Sequence, residues 1–114
     1  MLSVGPNDKL NFYAEAVDMR KGFDGLSGLV ENELERDPTN GEIFIFINKA
    51  RNKIKLLQWE AGGFAIYYKR LEKGTFEIPS HKAGDKSISI PKHTLEMMLC
   101  GISLEQRIQR KRYA

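Results

Sequence analysis

Apolar and polar positions alternate from residue 10 to 17, with Phe12, Ala14 and Ala16 on one side, and a period of two predicts a strand. The period then lengthens. Phe23, Leu26, Val30 and Leu34 recur at three- and four-residue spacing, which predicts a helix over 19–36 with one apolar face. Asp18 stands where a cap carboxylate can accept from the first free amides, and Asp37-Pro38-Thr39-Asn40-Gly41 stops the helix because each residue favours a turn and Pro38 lacks an amide. Residues 42–48 are apolar on both faces, which suits the centre of a sheet. A connection over 49–52 leads to a strand over 53–59, and Ala61-Gly62-Gly63 turns the chain into 64–70. Leu71-Glu72-Lys73-Gly74 then turns it into a short edge strand around Phe76. Loops this short make neighbouring strands pair in order.

After a polar loop over 80–86 come a strand over 87–90 and a last helix over 92–100. Pro91 suits its first turn, Leu95, Met98 and Leu99 face inward, and Gly101 ends it. The class expected is α+β: an antiparallel β-meander of four to five strands packed by an N-terminal helix and a short C-terminal helix. A chain of 114 residues has room for one core, so residues 1–105 are expected to form one domain and 106–114 a basic, frayed tail. The start, residues 1–6, lacks the basic and apolar segments of a leader, and the longest apolar run, 43–47, is far below the ~20 residues of a membrane span. A soluble, cytoplasmic protein is expected.

The distribution of charge says more than its sum. The net value is only +3, but residues 8–42 hold nine carboxylates and four Lys or Arg, whereas residues 49–73 hold seven cations and only Glu60 and Glu72 as acids. An acidic and a basic side follow, and a basic side points to a polyanion. Lys49, Arg51, Lys53, Lys55, Lys69, Arg70 and Lys73 are interleaved with Trp59, Tyr67 and Tyr68. Cations beside rings suit a sugar-phosphate backbone with occasional base stacking. Arg51, Lys53 and Lys55 share parity with Leu57 and Trp59, and Lys69 points opposite to Arg70. The alternative is a solvated face with Trp59, Tyr67 and Tyr68 in the core. Arg20 and Lys21 fall in the first turn of the expected helix, where the macrodipole disfavours cations. Either an anion held by free helix amides compensates, helped by the close approach that Gly22 allows, or the pair is neutralised by Asp24 and other carboxylates.

Little supports catalysis. His81 and His93 are not in ligand spacing with each other or with Cys100, the one cysteine, so no metal or cofactor site is expected. Asp18, Asp24, Glu31 and Glu35 read as a cap and a solvated helix face. No phosphate-binding glycine loop or nucleophile elbow occurs.

The segment DMRKGFDGL (18–26) and the run ELERDPTNGEIFIFINKARNKIKLLQWEAGGFAIYYKRLEKGTFEIP (33–79) resemble the small accessory protein of insertion-sequence-66 class transposons, encoded by their second reading frame. This is the TnpB-type protein of those bacterial elements, not the RNA-guided nuclease that shares the label. The likeness runs over 12–102 and closes on Leu99-Cys100-Gly101-Ile102, with one departure: Ile78 stands where members commonly carry Trp. It implies a non-catalytic transposition factor working beside a separate DDE-type transposase and contacting transposon-end DNA, the transposase, or both. Two other functions remain open. One is a module that binds the transposase without nucleic-acid affinity, and the other is a metal-dependent nuclease using some of Asp18, Asp24 and Glu60.

Overall fold

The computed structural model describes residues 4–100, so the expectations for Gly101 and for the tail lie outside the described residues. Seven elements follow one another: β1 (Leu10–Tyr13), α1 (Phe23–Asn32), β2 (Ile43–Ile47), β3 (Lys53–Glu60), β4 (Gly63–Arg70), β5 (Ser87–Ile90) and α2 (Lys92–Cys100). The five strands form one sheet in the order β4-β3-β2-β1-β5. The α+β class is as expected, and β2 takes the central place that its two apolar faces require. Its three isoleucines point to one side and its two phenylalanines to the other, all five buried.

The sheet is mixed rather than a pure antiparallel meander. β2, β3 and β4 pair antiparallel in sequence order, but β1 runs parallel to β2, with Leu10 opposite Ile43 and Phe12 opposite Ile45. A helix between β1 and β2 accounts for this, since a parallel neighbour needs a long crossover. β5 returns antiparallel on the free side of β1.

Each face of the sheet has its own apolar layer. On one, Leu26 and Val30 of α1 cover Phe44, Phe46, Leu57, Tyr13 and Val17; on the other, Leu95 and Met98 of α2 join Phe76 against Phe12, Ile45, Ile54 and Leu56. Burying each such side chain contributes roughly 1.5–3 kcal/mol, so these two layers hold the helices in place.

Four local expectations are corrected. β1 stops at Tyr13, and Val17 reaches the core from the following segment. α1 begins at Phe23, leaving Phe23 51% exposed and Leu34 beyond the helix end. The chain leaves α1 with the Leu34 amide on the Leu29 carbonyl at 3.2 Å, the six-to-one spacing of a Schellman end, and with Glu35 at φ 54 the Arg36 amide reaches back to the Val30 carbonyl at 3.1 Å. No strand forms around Phe76, whose ring instead plugs the α2-side core. Ile78 packs beside it, so an apolar residue there has a packing role.

At one end of the sheet a cluster of polar groups is mutually satisfied. Buried Asn11 donates through Nδ2 to Glu42, which also accepts from Arg36 at 3.0 Å and from Asn40 at 2.9 Å. Gln58 donates to the Gly41 carbonyl at 3.0 Å. The other end is built differently.

Candidate nucleic-acid interface

Past β1 the chain is drawn back to the sheet by the Val17 amide on the Ile47 carbonyl, 3.0 Å, and then makes a tight turn closed by the Lys21 amide on the Asp18 carbonyl, 3.1 Å. Asp18 does not cap the helix. Its carboxylate accepts the Arg20 amide at 2.9 Å and the Arg20 guanidinium at 3.0 and 2.7 Å. The Arg20 side chain, and secondarily its amide, holds the Asp18 carboxyl down at about 2. Gly22 is the N-cap and supplies no side-chain bond. Arg20 and Lys21 therefore precede the helix instead of opposing its dipole in the first turn, and Arg20 pairs with Asp18 rather than Asp24.

Lys55 fixes this turn to the sheet. Its ammonium donates to the Met19 and Lys21 carbonyls, each at 2.8 Å, and lies 4.6 Å from the centroid of the Tyr68 ring. Only 7% of the residue is exposed, so Lys55 is a structural pin rather than the surface cation expected. Two charge-assisted hydrogen bonds and a ring face offset the cost of burying it. Gly25 makes the route possible, because a Cβ there would sit 2.9 Å from Lys21 Cβ. A glycine inside a helical pattern is the sequence signal for such a close approach.

The connection from β2 to β3 is equally braced. Asn48 Oδ1 accepts the Asn52 and Lys53 amides, both at 3.0 Å, and its Nδ2 donates to Asn52 Oδ1 at 2.8 Å. Arg51 sits at φ 60, a left-handed conformation that a non-glycine residue adopts at a cost of ~1 kcal/mol. Its carbonyl accepts the Phe76 amide at 2.7 Å, and the Asn52 carbonyl accepts that of Leu71 at 2.8 Å. The organising role of Asn48 is invisible in a charge-based reading; its signal is an Asn placed to bond the backbone of the turn it opens.

Between the Asp18 turn and this tip lies an open cleft of about 680 Å³, lined by Ala16 to Arg20, Asn48 to Ala50, Lys53 and Tyr68. A second cleft of about 290 Å³ shares Lys53 and Tyr68 with it and adds Arg70 and Glu72. The structure thus brings together Arg20, Lys49, Lys53 and Arg70 around Tyr68, which is 49% exposed. Arg70 is paired with Glu72 at 3.0 Å, both exposed. Arg51 lines a further cleft of about 310 Å³, which shares Ala16, Asn48 and Lys49 with the first and is also lined by Phe12, Ile47, Ile78 and His81.

The other candidates lie elsewhere. Lys21 and Lys73 are exposed but line none of these clefts. Lys69 points to the α2 side, as parity requires, and donates to the Leu99 carbonyl at 3.1 Å. Tyr67 is half-buried against the α2-side core, and Trp59 packs edge-on to Phe64 at 5.0 Å near the far end of β3. Asp18 and Glu60 do not converge either: β3 separates the Lys53 end from Glu60 by about 23 Å at ~3.3 Å per residue.

A family model described as "IS66 Orf2 like protein" matches residues 8–109. The chain belongs to the IS66 Orf2-like family. Among its relatives, the uncharacterized protein y4jC of Sinorhizobium fredii (strain NBRC 101917 / NGR234) is 30% identical over 110 residues, covering 95% of this chain and 92% of the relative. The uncharacterized protein y4hO of the same strain is 31% identical over 102 residues, covering 90% and 87%. No solved structure gives a significant match. Membership makes this IS66 Orf2-like chain a transposition-associated accessory protein. Its block 18–26 is the segment that forms the Asp18 turn and the start of α1, and the block 55–59 begins with the pin, Lys55. No helix among the described residues is long and apolar enough to cross a membrane.

Proposed function

We propose that this accessory protein grips transposon-end DNA at the open end of its sheet, alongside a separate transposase and without catalysing strand chemistry itself. Arg20, Lys49, Lys53 and Arg70 meet the sugar-phosphate backbone, and Tyr68 offers a ring on which an unstacked base can lie. Its place of action is then the cytoplasm. One observation carries the reading: four cations from three separate segments converge on two clefts that share Lys53 and Tyr68, at an end of the sheet where no ion pair among the described residues involves Lys49 or Lys53. Braced turns fix the backbone that carries Arg20, Lys49 and Lys53, so binding orders side chains rather than loops.

The test is a salt titration of binding to transposon-end duplex, with and without transposase. Neutralising four phosphates gives a slope of log affinity against log salt of roughly −3 to −4. Reversing Lys49, Lys53 and Arg70 to Glu together should flatten it while the melting temperature holds. Unchanged DNA binding in that variant would refute the interface. Retention of transposase binding with no DNA affinity at low salt would favour the protein-only module instead.

A further inference from the structure

The three clefts at the open end of the sheet adjoin one another. The one of about 290 Å³ shares Lys53 and Tyr68 with the one of about 680 Å³, which in turn shares Ala16, Asn48 and Lys49 with the one of about 310 Å³. Together they make one track, along which Arg70, Lys53, Lys49 and Arg51 follow in that order.

The track changes face. Its first part lies on the α1 side, since Val17 belongs to the apolar layer under α1 and Tyr68 shares strand parity with Phe64 and Ile66 of that layer. Its last part is lined by Phe12, Ile47 and Ile78, which belong to the layer under α2. Lys49, in the connection from β2 to β3, lines both parts. A ligand that fills the track therefore passes over the end of the sheet from one face to the other.

The last part carries its own polar groups. Neither Lys49 nor Arg51 makes an ion pair among the described residues, and His81 is fixed there by its Nδ1–H, which donates to the Pro79 carbonyl at 3.1 Å. Glu15 is the one carboxylate among the described residues that line it.

We propose that the DNA held here is an unpaired strand, threaded along the track from Arg70 and Tyr68 to Arg51 and His81; this rests on the reading that the open end grips DNA, and it names the form of that DNA. Curvature favours the single strand over a duplex. The longest extent of the molecule is 40 Å, so a path that changes face turns within far less than the ~50 nm persistence length of a duplex, whereas an unpaired strand follows it freely. Shape favours it too. A duplex is read by a helix or ribbon that projects into a groove, but these cations line hollows of small-molecule size, which take nucleotides one after another. Phosphates meet the cations while a base stacks on the exposed ring of Tyr68.

The full chain is titrated at one low salt concentration with a single-stranded oligonucleotide of about 16 nucleotides, the blunt duplex of the same sequence, and that duplex with an unpaired extension. The single strand and the extended duplex should bind at least about tenfold tighter than the blunt duplex. A blunt duplex bound equally well or better would overturn the unpaired strand and leave the DNA grip standing, whereas no affinity for any of the three would overturn both. Arg51→Gly suits the left-handed backbone at φ 60, so this variant keeps its fold. It should take about 0.7 from the slope of log affinity against log salt on the single strand. His81→Ala, at an exposed position of the same cleft, should weaken single-strand binding about threefold by the loss of one contact. Unchanged single-strand binding in both variants would mean that the strand stops short of this cleft and would overturn the track.

Discussion

The two ends of the sheet are made from similar residue types and arrive at opposite states. At one end Glu42 gathers Asn11, Arg36 and Asn40, so the cluster is satisfied within the chain. At the other, Lys55 is consumed in pinning the Asp18 turn while Lys53, two residues away on the same face, lines an open cleft. Local charge density therefore says little about availability. What decides it is whether another segment lays acceptors across the side chain.

The largest expected effect tests the pin. Lys55→Met removes two charge-assisted hydrogen bonds that tie the Asp18 turn to the sheet, so it should cost about 2–4 kcal/mol in denaturant unfolding. Lys53→Met should stay within ~0.5 kcal/mol of the parent, because Lys53 makes no ion pair among the described residues. Equal costs for the two would erase the distinction drawn above.

At the closed end, Glu42→Ala strands the buried Asn11 amide and frees Arg36. A loss of about 1–3 kcal/mol is expected, with little change in any DNA affinity. Arg51→Gly relieves a left-handed conformation and should raise stability by about 0.5–1 kcal/mol while deleting a cation from the tip. A fall in stability would mean that the arginine side chain holds the turn.

The smallest effect is that of pH on Asp18. Its folded pKa, about 2, lies below the ordinary value of 3.8, so its contribution is fully present above about pH 4 and is lost as pH falls toward 2. Arg20 Nε–H chemical shifts followed over that window should move with it. Titration at an unperturbed pKa would mean that the Asp18–Arg20 contact does not persist in solution.

Much of the fold was legible because its signals are local. Helix α2 falls where Pro91 and the Leu95, Met98 spacing put it, and β2 is central because IFIFI has no polar face. The start of α1 was not legible, since an aspartate that caps a helix and one that folds a turn onto its second neighbour have the same sequence signature. The side-chain bonds from Asp18 to Arg20 decided between them. The candidate site divides in the same way. Strand parity correctly separated Lys69 from Arg70, but no pattern near Lys55 announces that carbonyls 34 and 36 residues earlier will fold over it. Phe76 resembled a strand residue because an aromatic that plugs a core and one that lines a sheet have the same neighbours in sequence.

The pin also fixes an order of events. Arg20 leaves the ribosome well before Lys49, Lys53, Lys55 and Tyr68, and the Asp18 turn gains its two Lys55 bonds only when β3 has docked beside β2. Closing that loop costs entropy that only the assembled sheet can offset. Until β3 docks, the cations stay scattered along the chain, so the basic cleft forms only when the Asp18 turn, the β2–β3 tip and β4 have come together.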